Sequence, residues 1–64
     1  MTNAEMNRRL NTLTDAQYHD IVRKLENNVP YATLAADGYS VGQVRAVAQA
    51  EAERAATRAL RGVA

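Results

Sequence analysis

The chain has 64 residues and a mass of 7.0 kDa, so it forms a single domain, because a chain of this length buries only about 60% of the surface that it exposes when unfolded. Eight basic and seven acidic residues give a net charge of +1, which by itself argues neither for nor against a nucleic-acid partner. The absence of cysteine excludes a disulfide scaffold, a thiolate zinc site and a thiol nucleophile. A core this small, without a disulfide or a thiolate metal site, needs close helix packing or a second subunit for its stability.

The composition favours helices throughout residues 1–64. One proline and three glycines predict an all-α domain of three to four helices. No apolar run approaches the roughly 20 residues that are needed to cross a bilayer, and the first residues lack the basic and apolar segments of a signal peptide. We therefore expect a cytoplasmic protein with no membrane partner.

Two threonines mark the starts of the first two helices. Each is followed three residues later by Glu or Gln, which is the pattern of a capping box: Thr2 with Glu5, and Thr14 with Gln17. The pattern predicts a helix over about residues 3 to 12 and a second helix that begins at Asp15. The second helix carries an apolar stripe of four residues: Tyr18, Ile21, Val22 and Leu25. Asn27 and Asn28 should end it, because Asn tolerates the left-handed conformation found at helix C-termini.

A short helix is predicted next, over residues 31–36. Pro30 lies at its start, where a missing backbone N–H is harmless. Leu34 and Ala35 should face inward, and Gly38 should stop the helix by adopting a positive φ.

The last predicted helix dominates the chain. Ser40 is a good N-cap, and a helix from residue 41 to about residue 61 would be roughly 30 Å long. Small and apolar residues recur along it with an eleven-residue repeat, which keeps one narrow face nearly straight: Val41, Val44, Ala48, Ala52, Ala55, Ala59 and Val63. The core of so small a domain cannot cover such a length. We therefore expect a homodimer whose interface contains Ala48, Ala52, Ala55 and Ala59.

Residues 18–49 read in order as a helix, a tight break, a short helix, a glycine turn and a capped longer helix. The marked positions are Ala35, Gly38, Tyr39, Ser40, Val44 and Val47. This arrangement resembles the helix-turn-helix of small bacterial and phage DNA-binding proteins, a class that includes anti-CRISPR-associated regulators. The spacing from Ala35 to Gly38 is one residue shorter than the family pattern. In that family the second helix of the pair lies in the major groove and contacts base edges.

The resemblance implies which side of the last helix would contact DNA. Three residues would face the core: Val44, Val47 and Ala48. The opposite side would contain Val41, Gly42, Arg45, Ala46 and Gln49. Arginine pairs bidentately with guanine and glutamine with adenine, and small residues at positions 42 and 46 would let the helix sit deep in the groove.

The same resemblance implies further DNA contacts. Tyr31 and Thr33 could donate to phosphates at the start of the short helix, with Ser40 at the start of the long one, and Arg8 and Arg9 could supply an N-terminal phosphate contact. Structural alternatives remain open for several of these side chains. Arg45 and Gln49 also fit an ordinary solvated helix face, and Tyr31 and Tyr39 fit the rim of the core. A solubilising face that complements the helix dipole is the favoured interpretation of Arg54, Arg58 and Arg61.

Catalytic chemistry has little support in this sequence. His19 and Asp15 are four residues apart and could share a helix face, but two ligands are too few for a metal site. The sequence contains no nucleophile with a base, no phosphate-binding glycine loop and no paired carboxylates in an evident pocket. We therefore expect a non-enzyme without a metal, cofactor or small-molecule substrate.

Two functions follow from these observations. The first is a sequence-specific DNA-binding transcriptional regulator, a repressor or autoregulator, that binds an inverted repeat in double-stranded DNA as a homodimer. The second is a small helical protein-interaction module, such as an antitoxin, an inhibitor, a virion component or a ubiquitin-associated-like domain. Asp37, Gly38 and Tyr39 before a capped helix resemble the loop of ubiquitin-associated domains. Those domains break again after a short second helix, whereas residues 41–61 run on without a break.

Overall fold

The computed structural model describes residues 1–63, and within them it contains four helices and no strand. The helices are α1 (Asn3–Leu10), α2 (Asp15–Glu26), α3 (Tyr31–Ala36) and α4 (Val41–Val63). The predicted all-α architecture with a long C-terminal helix is therefore confirmed. The first helix ends two residues earlier than predicted. The amides of Thr12 and Leu13 there donate to carbonyls three residues back, those of Arg9 (3.2 Å) and Leu10 (3.0 Å), and the Thr12 hydroxyl also donates to the Arg9 carbonyl (2.6 Å).

The helix starts follow the capping signals. At α2, the amide of Gln17 donates to Thr14 Oγ1 (3.1 Å) and the amide of Thr14 donates to Gln17 Oε1 (2.9 Å), which forms a complete capping box. Ser40 and Gln43 form the same reciprocal pair at the start of α4, with distances of 3.1 and 2.9 Å. The second box fixes where the longest helix begins.

Two residues with positive φ end helices where the sequence predicts a stop. Asn28 has a φ of 57° after α2, and Gly38 has a φ of 98° after α3. The left-handed region is accessible to glycine and is tolerated by asparagine. The turn between α3 and α4 therefore depends on Gly38.

Helix α4 packs against the three other helices. On one side it buries Val44 and Val47, while Ile21 of α2 and Leu34 of α3 are fully buried. On another side it packs against α1 through a small cluster: Met6, Ala46 and Ala50, with Leu10 partly buried beside them. The central position of α4 explains why two short helices and one longer helix suffice to build a core.

The inward positions differ from the prediction at two alanines. Ala35 and Ala48 are exposed. In α3, Leu34 takes the inward direction, and its neighbour lies about 100° around the helix. In α4, α1 covers the side that contains Ala46 and Ala50, and this places Ala48 on the open side.

Helix α4 consists of a packed and an unpacked part. In the proximal segment, residues 41–51, buried and partly buried residues alternate with exposed ones, whereas every residue of the distal segment, residues 52–62, is exposed. Leu60 is 76% exposed. The molecule measures 42 × 27 × 19 Å, so the distal segment lengthens an otherwise small domain.

Candidate nucleic-acid interface

A charged network fixes the turn that leads into α4. Lys24 of α2 forms ion pairs with Asp20, one turn earlier, and with Asp37 in the turn. The Tyr39 hydroxyl donates a hydrogen bond of 2.9 Å to Asp20 Oδ2, and the Lys24 ammonium lies 5.9 Å from the centre of the Tyr39 ring. The residues on either side of Gly38 are therefore tied to α2, which orients the start of α4.

The network shifts the pKa of three of its members, Asp20, Lys24 and Tyr39. Hydrogen bonds from Lys24 and then from Tyr39 lower the pKa of Asp20. The pKa of Lys24 is raised, chiefly by its hydrogen bond to Asp37 and next by that to Asp20. Burial first, and the hydrogen bond to Asp20 second, raise the pKa of Tyr39. The lowered pKa of Asp20 and the raised pKa of Lys24 both favour the charged forms, so the contact between them is charge-assisted.

Sequence inspection misses this network. The spacing of Asp20 and Lys24 is a visible i, i+4 pair. Asp37 lies thirteen residues after Lys24, and Tyr39 fits the rim of the core equally well. Only the path of the chain through α3 brings these residues together.

The open side of the proximal segment presents three of the residues that sequence analysis considers. Val41, Arg45 and Ala48 are exposed, and their spacings of four and three place them on one side of α4. Arg45 is therefore free to reach outward. The Ser40 hydroxyl accepts a hydrogen bond from the amide of Gln43, so Ser40 acts as the helix cap at the edge of this surface.

The remaining predicted base-facing positions are covered or partly covered. Ala46 is 0% exposed and belongs to the cluster beneath α1, so the prediction that it faces outward is wrong. A Cβ on Gly42 would lie 3.2 Å from Nη1 of Arg9. Gln49 is partly buried, and its side-chain amide donates to Glu53 Oε1 at 3.4 Å. Small residues at positions 42 and 46 serve the approach of α1.

The predicted phosphate contacts fall at two places. Arg9 of α1 lies against Gly42, in the first turn of α4, and Arg8 is exposed beside it. Tyr31 and Thr33 are exposed in the first turn of α3, where Tyr31 is 44% exposed. The structure therefore brings Arg9 to the amino end of α4.

A second basic region lies on the opposite side of α4. A cleft of about 520 Å³ runs between α1 and the later turns of α4, with Met6 and Leu10 on one wall. Three arginines line the other wall: Arg54, Arg58 and Arg61. They are about 140° to 180° around the helix from Arg45. One DNA groove therefore cannot contact this cleft and Arg45 of the same copy together.

Tyr18 connects this side of α4 to α2. Its hydroxyl donates a hydrogen bond of 2.6 Å to Glu51 Oε1, and the Arg54 guanidinium lies 5.5 Å from the centre of its ring. Burial and then the interaction with Glu51 raise the pKa of Tyr18 to about 12. These contacts hold the last turn of the proximal segment against the domain.

His19 and Asp15 line a shallow surface depression, and residues 1–63 contain no group of three side chains placed to hold a metal ion. None of the four helices is both long and apolar enough to span a bilayer.

Comparison of the chain with known protein families, with curated proteins and with solved structures gave no match.

Proposed function

We propose that this chain is a non-enzymatic, cytoplasmic DNA-binding regulator, a repressor or autoregulator, that acts as a homodimer on an inverted repeat. The observation that carries the proposal is the open side of the proximal segment. There Val41, Arg45 and Ala48 are exposed directly after a turn that the network around Lys24 holds in place. The proposal extends the resemblance to small phage and mobile-element regulators.

In this proposal Arg45 contacts a base edge in the major groove. A bidentate arginine contact to guanine discriminates between bases by about 1 to 3 kcal/mol. Val41, which is exposed one turn before Arg45, can contact a thymine methyl group. Gln49 and Gly42 lie at the edge of this surface, and Ala46 has no part in it.

Phosphate contacts would come from α1 and α3. Arg9 lies against the first turn of α4. Arg8 is exposed in the last turn of α1, and Tyr31 and Thr33 are exposed in the first turn of α3. Such contacts position a protein on the duplex without reading its sequence. With a net charge of +1, non-specific affinity should be modest.

The test is selection of a binding site from random duplexes, followed by titration of the selected duplex at several salt concentrations. Arg45→Ala should weaken specific binding by about 1 to 3 kcal/mol and relax the preference at one base pair in each half-site. Arg61→Ala is the matched control, because it removes the same charge from the other side of α4. Arg8→Ala should weaken all sequences alike and lower the salt slope by about one.

The result that rejects DNA binding is equally plain. If no duplex binds at low salt, or if Arg45→Ala and Gln49→Ala both leave the selected site and its affinity unchanged in folded protein, α4 does not read DNA.

A protein-interaction module is the second candidate function. The exposed distal segment favours it, because eleven consecutive residues, 52–62, are exposed. A module of this kind would bind no duplex at any salt concentration, which separates the two candidates in the same titration.

A further inference from the structure

We infer that two copies of this chain pair antiparallel along α4, with Ala48 of each copy level with Ala59 of the other. The inference rests on the homodimer of the proposed function and adds its orientation and its charged contacts. DNA binding is not needed for it.

The folded chain exposes more surface than is expected for a compact monomer of its mass. The folded chain exposes 4565 Å², whereas a compact monomer of 7.0 kDa is expected to expose about 4,000 Å². The excess of roughly 500 Å² is a large part of the about 800 Å² that each partner buries in a standard interface. All of residues 52–62 are exposed, so the distal segment contributes to this excess.

The charges beside the alanine face point to a second copy as the occupant. Glu51 and Arg58 are seven residues apart, which is about 20° short of two full turns, so they lie on the same flank of that face. In an antiparallel pair with two-fold symmetry, each flank meets the same flank of the other copy. The acidic residue of one chain is thereby brought to the basic residue of the other.

The register of the alanines places these charges at contact distance. When Ala48 is level with the partner's Ala59, Glu51 and the partner's Arg58 are two residues apart along the axis, or about 3 Å. Symmetry repeats the contact and gives two ion pairs. In a parallel pair the same two residues would be seven residues apart, or about 10 Å, and could not meet.

Glu51 is held in place by contacts within its own chain. Its Oε1 accepts hydrogen bonds from the Tyr18 hydroxyl (2.6 Å) and from Arg54 (3.5 Å). A side chain that is held in place loses little further freedom on binding. Pairing through the cleft on the other side of α4 would instead bring Arg54 and Arg61 against the same arginines of a second copy, so the alanine face is favoured.

The orientation also sets the distance between the two reading surfaces. With the two-fold axis between residues 53 and 54, residues 41 of the two copies are about 37 Å apart along the pair, and residues 45 are about 25 Å apart. These values bracket the about 34 Å of one DNA turn that separates half-sites of dimeric helix-turn-helix proteins.

Cysteine cross-linking tests the orientation directly, because the chain contains no cysteine of its own. Ala48→Cys and Ala59→Cys are prepared separately, mixed, oxidised and analysed by mass spectrometry. The mixture should give the 48–59 disulfide. Ala48→Cys alone should cross-link at least about tenfold more slowly, because its two thiols lie about 16 Å apart along the axis. Faster self-linkage of Ala48→Cys than mixed linkage would overturn the antiparallel orientation.

Charge reversal tests the two ion pairs. Glu51→Arg or Arg58→Glu alone should weaken dimerisation about tenfold or more, because each places two like-charge contacts in the interface. A mixture of the two variants should dimerise about as tightly as the unmodified chain, because every contact then joins opposite charges. A mixture no tighter than either variant alone would overturn the assigned contacts. The cysteine variants retain Glu51, so that test does not depend on the Tyr18 bond.

Sedimentation of the unmodified chain without DNA separates this inference from the proposed function. A dimer with the expected cross-link that binds no duplex would reject the DNA-binding function and support the orientation. A chain that stays at 7.0 kDa at micromolar concentration would reject the dimer, whatever its affinity for DNA. A dimer that forms no 48–59 cross-link would reject the alanine face as its interface.

Discussion

The two parts of α4 are both rich in alanine but have different surroundings. The proximal segment packs against three other helices and contains four buried residues: Val44, Ala46, Val47 and Ala50. The distal segment, residues 52–62, contains four alanines and a leucine, and all of its residues are exposed. Alanine therefore has two roles in one helix. It lets α1 approach in the first part, and it leaves an open, narrow face in the second.

The largest expected contrast is between two leucines. Leu34 is 0% exposed and Leu60 is 76% exposed. Leu34→Ala should lower the free energy of unfolding by about 2 to 5 kcal/mol through lost burial and a cavity, whereas Leu60→Ala should change it by less than about 0.5 kcal/mol. Urea denaturation at one low protein concentration measures both. Equal effects would show that the distal segment is packed in solution.

Replacing alanine with the larger leucine should also affect stability differently in the two parts of α4. Ala46 is fully buried under α1, so Ala46→Leu should destabilise the fold by about 1 to 3 kcal/mol through overpacking. Ala56 is exposed, and Ala56→Leu should be nearly neutral. Thermal unfolding followed by circular dichroism measures the difference. A neutral Ala46→Leu would contradict the position of α1.

Removing a side-chain hydroxyl group should give a smaller difference in unfolding free energy between the two parts of α4. The Ser40 hydroxyl caps α4, and Ser40→Ala should cost about 1 kcal/mol of unfolding free energy. Thr57 in the distal segment donates within its own helix, to the carbonyl of Glu53. Thr57→Ala should be neutral or slightly stabilising, because alanine has the higher helix propensity. Denaturant midpoints of the two variants decide between these outcomes, and a stabilising Ser40→Ala would show that the box is not formed.

The smallest predicted effect is a loss of unfolding free energy at acidic pH. Because Lys24 and Tyr39 lower the pKa of Asp20 in the folded protein, the carboxylate contributes stability above its unfolded pKa of about 3.9. That contribution is lost as the pH falls through the lower, folded pKa. Unfolding free energy measured from neutral pH to acid should show this loss, and Asp20→Asn should reduce its slope. An unchanged slope in that variant would exclude Asp20 as the source.

Local signals in the sequence predict the fold well. The threonine caps, the Asn and Gly stops and Ser40 each act within a few residues, so the helices begin and end close to the predicted places. The faces of α4 were harder to predict. A period of three and four residues fits several sides of an alanine-rich helix, and only the position of α1 decides that Ala46 is buried and Ala48 is not.

In the candidate site, too, some positions follow from the sequence and others depend on tertiary packing. Arg45 is exposed as predicted, because within residues 1–63 no helix covers its side of the proximal segment. Gly42 and Gln49 are partly covered by contacts with Arg9 and Glu53, and the contact of Gly42 joins parts of the chain that lie far apart in sequence. DNA binding and dimerisation remain predictions.

The packing of α1 against α4 also sets the order in which the chain can fold. Met6 and Ala46 are in one cluster although they are 40 residues apart along the chain. A ribosome adds about 5 to 20 residues per second, so α1 emerges about 2 to 8 s before its docking site. An eight-residue helix is marginal in water on its own. Helix α1 is therefore stabilised only after α4 has been made and can cover Met6.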